Sequence, residues 1–132
     1  MKIAVDTNVL VRVVLRDDPS QAEAAISILK HASLIAVSLP CLCELVWILR
    51  QGARRPKAEI ALTIRTLVAA ENVVVDLPAV EAGLAMLEAG GDFADGIMAH
   101  QGRWLGGETF VSFDRKAVAK LTDQGIPARL LS

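Results

Sequence analysis

The chain alternates short runs of aliphatic and β-branched residues with longer segments whose apolar positions recur every three or four residues. The short runs predict five strands, at Lys2–Val5, Leu34–Ser38, Val73–Asp76, Thr109–Ser112 and Ala128–Leu131. The longer segments predict about seven helices, at Val9–Arg16, Asp18–His31, from Pro40 onward, Lys57–Ala70, Pro78–Ala89, Asp92–Trp104 and Arg115–Thr122. Strands that alternate with helices favour a parallel sheet covered on both faces. We therefore expect one domain over residues 1–132, a three-layer α/β/α fold with a five-stranded parallel sheet.

Composition narrows the class of protein. With 132 residues, 53% of them hydrophobic and 22% charged, the chain suits a globular domain and excludes a disordered one. Cys41 and Cys43 lie one residue apart, which fits neither a disulfide framework nor a C-x-x-C site, so we expect reduced thiols in a cytoplasmic protein. No apolar run approaches the roughly 20 residues of a membrane-spanning helix, and Asp6 interrupts the segment where a signal peptide would be apolar.

Five carboxylates follow the predicted strands or begin the predicted helices. They are Asp6, Glu44, Asp92, Asp95 and Asp114. Right-handed crossovers place the carboxyl ends of parallel strands on one edge of a sheet, which is where ligands bind. We therefore expect the five side chains to crowd together at that edge.

Each acid also has a simpler explanation. Asp6, Asp92 and Asp114 could each cap the helix that follows. Glu44 is harder to explain in this way, because it lies in an otherwise apolar run where an unpaired charge is costly. Taken together, carboxylates this close would repel one another unless a hard divalent cation, Mg²⁺ or Mn²⁺, bound them. Such a metal activates water and stabilises charge on a phosphodiester, so the set predicts metal-dependent phosphodiester hydrolysis.

Charge and aromatic content bear on the substrate. The formal net charge is −1, but setting the five acids aside leaves ten acidic residues against 14 basic ones. Four basic residues fall within eight positions: Arg50, Arg54, Arg55 and Lys57. This cluster suits a polyanionic substrate, although a solvated turn between helices would look the same. The five aromatic residues are Trp47, Phe93, Trp104, Phe110 and Phe113, and we expect most of them in the core.

Four segments, in their order and spacing, carry a family resemblance. They are Asp6-Thr7-Asn8, the isolated Glu44, the run Asp92-Phe93-Ala94-Asp95-Gly96-Ile97-Met98-Ala99, and Ser112-Phe113-Asp114. In these segments the chain resembles the PIN-domain ribonucleases over essentially its whole length, and among them the VapC-type toxins of bacterial toxin–antitoxin pairs.

The resemblance implies a metal-dependent endoribonuclease that uses Mg²⁺ or Mn²⁺. It implies Asp6 and Asp95 as the main metal ligands, with Glu44 and Asp114 completing the acidic site. It implies Asp92 as an auxiliary acid, and Thr7 and Asn8 as residues that support the site through hydrogen bonds. It also implies a homodimer and a small antitoxin that blocks the cleft. Independently, the run Val9–Leu15 is apolar nearly all round, which predicts either full burial or a hydrophobic groove for a partner.

Three alternatives remain open. A haloacid-dehalogenase-like phosphatase would use Asp6 as a covalent phosphoryl acceptor, but it expects an acid where Asn8 stands, and Lys116 and Lys120 are poorly placed for its late lysine. A receiver-like phospho-switch lacks its acid pair here. A PIN-like scaffold without catalysis is the third, and the complete acidic set argues against it.

Overall fold

The computed structural model describes residues 1–132 and contains every predicted strand and helix. The strands are β1 (Lys2–Ala4), β2 (Leu34–Ala36), β3 (Val73–Val74), β4 (Phe110–Ser112) and β5 (Ala128–Leu130). The helices are α1 (Thr7–Leu15), α2 (Pro19–His31), α3 (Leu39–Trp47), α4 (Lys57–Ala69), α5 (Leu77–Glu88), α6 (Phe93–Trp104) and α7 (Arg115–Asp123). A π-helical segment, Ile48–Gly52, directly follows α3 and is not predicted by the sequence pattern.

The strands form two parallel sheets, β1–β2–β3 and β4–β5. The chain likewise divides into two compact units, Met1–Asp76 and Leu77–Ser132. The predicted α/β class and the parallel pairing are confirmed, whereas the prediction of one five-stranded sheet is wrong. Hydrophobic periodicity reports where strands occur, but it does not report which strands pair. Strands of two or three residues offer few backbone hydrogen bonds with which to define a ladder.

The three strands of the first unit pair in a register that aligns Ile3 with Ile35 and Ile35 with Val73. The helices of this unit pack around the sheet. The fully buried side chains of its helices and π-helical segment are Leu10, Leu42, Leu45, Leu49, Ile60 and Ile64. Burying a side chain of this size contributes roughly 1.5–3 kcal/mol to folding. Helix α1 packs against both α2 and α3, which brings the residues that follow β1 next to α3.

Local chemistry explains where several helices begin and end. Asp18 accepts a hydrogen bond from the backbone N–H of Gln21 at 3.1 Å, and Pro19 occupies the first turn of α2. Ser38 caps α3 in the same way, from the N–H of Cys41 at 3.3 Å. Gly90 follows α5 with a φ of 93°, a conformation that residues with a side chain adopt only with strain. None of these helices combines the length and apolar character that crossing a membrane requires.

In the second unit, two glycines let α5 and α6 approach closely. A Cβ at Gly83 would lie 2.8 Å from the ring of Phe93, and one at Gly96 would lie 2.9 Å from Cγ of Met86. A buried cluster then joins these helices to α7 and the two strands. Its members are Met86, Ala99, Ala117 and Leu121, with Phe110, Ile126 and Ala128 packed against them. This packing fixes the beginning of α6 and the beginning of α7, where the acids of this unit lie.

We predict that Gly96→Ala destabilises the protein by about 1–3 kcal/mol, because the new methyl group would collide with Met86 and with the backbone carbonyl of Ala82. Urea unfolding followed by circular dichroism measures the change. Gly102→Ala in the same helix is the control. Nothing lies within 4 Å of its Cβ, so we expect no loss and a gain of up to about 1 kcal/mol. Equal effects of the two substitutions would contradict the close approach of α5 and α6.

Candidate active site

Asp6 lies two residues beyond β1, at the N-terminal end of α1. Its backbone is extended, with φ −81° and ψ 154°, and its side chain makes no capping hydrogen bond to the helix. The side chain is exposed. The simpler explanation of Asp6 as a helix cap is therefore not realised, and its carboxylate is free for a ligand.

Glu44 lies in α3 and is joined to α1 by a hydrogen bond. The hydroxyl of Thr7 donates to Oε1 of Glu44 at 2.9 Å. Thr7 is only 6% exposed, so its packing fixes one oxygen of the glutamate. The expectation that Glu44 lies in apolar surroundings needs correction. The helix buries Leu42, Leu45 and Val46 on its other side and leaves Glu44 exposed.

The pKa of the Cys41 thiol indicates that Asp6 and Glu44 both lie near it. Burial raises the pKa of the Cys41 thiol, a hydrogen bond with Thr7 acts in the opposite direction, and the negative charges of Asp6 and Glu44 raise it further. Both carboxylates therefore act on the same buried sulfur. Such surroundings keep Cys41 protonated and make it a poor nucleophile. Neither Cys41 nor Cys43 forms a disulfide.

Asp95 is the most perturbed acid of the second unit. It lies in the first turn of α6 and is half-buried. Burial raises the pKa of Asp95, and the negative charges of Asp92 and Asp114 raise it further. The fold therefore holds three carboxylates of this unit close enough to oppose the ionisation of the central one.

Asp92 and Asp114 differ from Asp95 because both cap helices. Asp92 accepts from the N–H of Ala94 at 3.1 Å at the start of α6, and Asp114 accepts from the N–H of Ala117 at 3.1 Å at the start of α7. The hydroxyl of Ser112 in turn accepts a hydrogen bond from the N–H of Asp114 at 2.9 Å. For these two acids the capping role is real, and it holds them in fixed positions beside Asp95.

The acids suit a hard divalent cation in their chemistry. All are oxygen donors of the kind that Mg²⁺ and Mn²⁺ prefer, and a cation would relieve the repulsion around Asp95. No group of three or more histidine, cysteine, aspartate or glutamate side chains is arranged to hold a metal ion. The first unit brings Asp6 and Glu44 near the same thiol, and the second brings Asp92 and Asp114 near Asp95, but neither group forms a metal-binding arrangement by itself.

The predicted basic cluster lies between α3 and α4. Arg50 is half-buried in the π-helical segment, and Arg54 is exposed with a φ of 54°. Arg55 forms an ion pair with Glu59 at 2.8 Å, and Lys57 is the first residue of α4. Part of the cluster therefore stabilises the turn between α3 and α4.

Asn8, by contrast with Thr7, is exposed and lines a groove between α1 and α2.

The expectation that most aromatic residues lie in the core is wrong. Trp47 is 65% exposed, Phe113 72% and Trp104 79%. Phe93 is buried, and Phe110 is half-buried against the second unit's core. Two of the exposed rings are close to candidate acids in sequence, since Trp47 follows Glu44 by three residues and Phe113 directly precedes Asp114. The sequence signal was available for Trp47, because the spacing of Glu44, Trp47 and Gln51 places all three on one helix face.

A comparison with known protein families gives an independent identification. The model of the PIN domain matches residues 3–122, which include every candidate acid. Comparisons with curated proteins and with solved structures found no match. The family match covers nearly all of the chain and agrees with the parallel α/β architecture. The chain therefore belongs to the PIN domain family, whose fold is nuclease-like and whose members are commonly metal-dependent ribonucleases.

Proposed function

We propose that this protein is a metal-dependent endoribonuclease and that it acts as the toxin of a toxin–antitoxin pair. The observation that supports it most is the crowding of carboxylates around Asp95 in a chain that matches the PIN domain throughout. An acid whose ionisation is opposed by neighbouring acids is the expected state of a divalent metal site without its cation. We propose that residues 1–132, which include both units, form a single PIN-like domain.

We assign the following roles to the residues of the acidic site. Asp6 and Asp95, whose carboxylates are not used in capping, are the main ligands of Mg²⁺ or Mn²⁺, and Glu44 and Asp114 complete the acidic site. When bound, the metal supplies a water of lowered pKa and charge stabilisation on the phosphodiester. Thr7 orients Glu44 through its hydrogen bond, and Asp92 adds negative charge beside Asp95.

The substrate we propose is RNA. The cations Arg50, Arg54, Arg55 and Lys57 all lie within the first unit, in or beside the turn that follows α3. Glu44 occupies α3 itself, so this positive region continues the element that carries one of the proposed acids. Cations beside a metal-neutralised acidic site attract the phosphates of a polyanion.

The partners we propose are a small cognate antitoxin and a second copy of the chain, in the cytoplasm. The helix predicted to be apolar all round, α1, is only partly buried: Leu10 and Val11 are in the core. Val13 and Val14 line a groove of about 490 Å³, with Leu29, Leu62 and Leu67 on its other walls. An apolar groove of this size suits an apolar segment of an antitoxin.

We expect Asp6→Asn and Asp95→Asn each to lower the rate of RNA cleavage at least about 100-fold, because each removes a charged metal ligand. The measurement is cleavage of total RNA by purified protein in Mg²⁺ or Mn²⁺, with a chelator in a parallel sample. Asp123→Asn, at an exposed acid at the end of α7, is the control and should cleave at the wild-type rate. Cleavage that survives both substitutions would exclude this site.

We also expect Asp95→Asn to raise the thermal midpoint of the metal-free protein, because it removes a half-buried charge that Asp92 and Asp114 repel. Addition of Mg²⁺ or Mn²⁺ should raise the midpoint of the wild type by mass action and raise that of the variant by less. Thermal unfolding with and without metal measures both effects. Glu108→Gln, at an exposed loop residue, should leave both midpoints unchanged. A metal response that is equal in wild type and Asp95→Asn would rule out Asp95 as a ligand.

Thr7→Val should lower the cleavage rate roughly 10-fold or more, since it removes the hydrogen bond that orients Glu44 while keeping the side-chain shape. Thr7→Ser keeps a hydroxyl and should restore most of the rate. Circular dichroism would verify that both variants fold. If valine and serine lower the rate equally, Thr7 acts through packing and not through Glu44.

A further inference from the structure

The outward face of α3 and the π-helical segment carries a carboxylate and an aromatic ring side by side. Glu44, Trp47 and Gln51 are exposed at intervals of three and four residues, while Leu42, Leu45 and Leu49 on the opposite face are buried. Residues three apart on a helix are surface neighbours, with Cβ atoms about 5–6 Å apart. The indole of Trp47 therefore projects from the surface one turn beyond the carboxylate of Glu44.

Exposure of this ring is unusual for its type. Tryptophan is highly buried on average, because its large apolar surface gains most from leaving water. In this chain Trp47 remains 65% exposed although the rest of α3 is strongly apolar. The fold therefore places the ring at the surface, where it is available to a ligand.

The residues that follow Trp47 fit a nucleic-acid ligand in their charge. Arg50 and Arg54 lie three and seven positions beyond it, and neither takes part in the ion pairs of the structure. From Glu44 onward the chain thus presents an acid, a ring and then cations. Proteins that bind single-stranded nucleic acid combine cations along the backbone with aromatic rings on which bases stack.

We propose that Trp47 is a base-stacking platform for single-stranded RNA, next to the nucleotide whose phosphate meets the acidic site, with Arg50 and Arg54 contacting the phosphates beyond it. The inference rests on the proposed ribonuclease function and adds a substrate-positioning residue to it. Stacking tolerates any base, because every base has a π-face. Trp47 therefore contributes affinity for single strands and does not select the sequence.

Tryptophan fluorescence tests the contact without requiring cleavage. The chain has two tryptophans, so Trp104→Phe leaves Trp47 as the only one, and Trp47→Phe leaves Trp104. Both proteins, carrying Asp95→Asn to prevent cutting, are titrated in Mg²⁺ with a 12-nucleotide oligoadenylate and with a 12-unit ribose-phosphate chain that lacks bases. We expect saturable quenching of Trp47 by the oligoadenylate, little quenching by the base-free chain, and none of Trp104. Quenching that is absent, or equal for both tryptophans, overturns the proposal.

Cleavage kinetics provide the second readout, with Trp104→Ala as the matched control. Trp104 is even more exposed but ends α6, nine residues beyond Asp95. We expect Trp47→Ala to raise the KM for a single-stranded RNA roughly 10-fold with little change in kcat, Trp47→Phe to stay near the wild type, and Trp104→Ala to change neither constant. A lower kcat at unchanged KM would overturn the stacking role.

The outcomes separate this inference from the ribonuclease proposal. RNA cleavage that depends on Asp6 and Asp95 but is indifferent to Trp47→Ala removes the stacking platform and leaves the nuclease. Selective quenching of Trp47 without any cleavage keeps the platform and removes the nuclease. If a second copy of the chain covers Trp47 instead, the protein will run as a dimer in which Trp47 is shielded from acrylamide and unaffected by RNA, and the proposal fails.

Discussion

Electrostatic repulsion around the half-buried carboxylate of Asp95 is the constraint on which the candidate site of the second unit depends. The ionised form of an aspartate is less favourable beside two other aspartates than in isolation, and partial burial makes it less favourable still. Asp95 is in this position, with its pKa raised by burial and by Asp92 and Asp114. In the first unit Asp6 and Glu44 act together on the Cys41 thiol. Carboxylates in such surroundings are found more often at functional sites than elsewhere in proteins.

The surrounding structure limits this cost through a division of roles among the acids. Asp92 and Asp114 accept backbone hydrogen bonds at the starts of α6 and α7, so their charges also serve the helices. Glu44 accepts a hydrogen bond from the hydroxyl of the buried Thr7. Asp6 and Asp95 have no such partner, and these are the two that the family resemblance makes the main ligands. The capping and ligand interpretations, which compete when each residue is considered alone, are thus distributed over different members of one set.

The helix that carries Glu44 presents a candidate acid and an exposed aromatic ring on the same face. One face of α3 is buried in the core of its unit, and the other presents Glu44 and Trp47 to solvent. Directly after it the backbone widens into a π-helical turn, where the N–H of Ala53 donates to the carbonyl of Ile48 at 2.9 Å. Segments of this kind are frequent at functional sites. Here the segment ends the helix and leads into the turn that contains Arg54.

The sequence by itself determined the elements, their order and the parallel α/β class, and it singled out the candidate acids, because each of these depends on local signals. Strand and helix periods, the Asp18-Pro19 start and the Gly90-Gly91 stop all act within a few residues. Tertiary structure alone decided which strands pair, that Glu44 is exposed and hydrogen-bonded to Thr7, and that burial, Asp92 and Asp114 together raise the pKa of Asp95. These depend on residues far apart in the chain, such as Thr7 and Glu44, whose separation is set by the packing of α1 on α3. No local pattern encodes that distance.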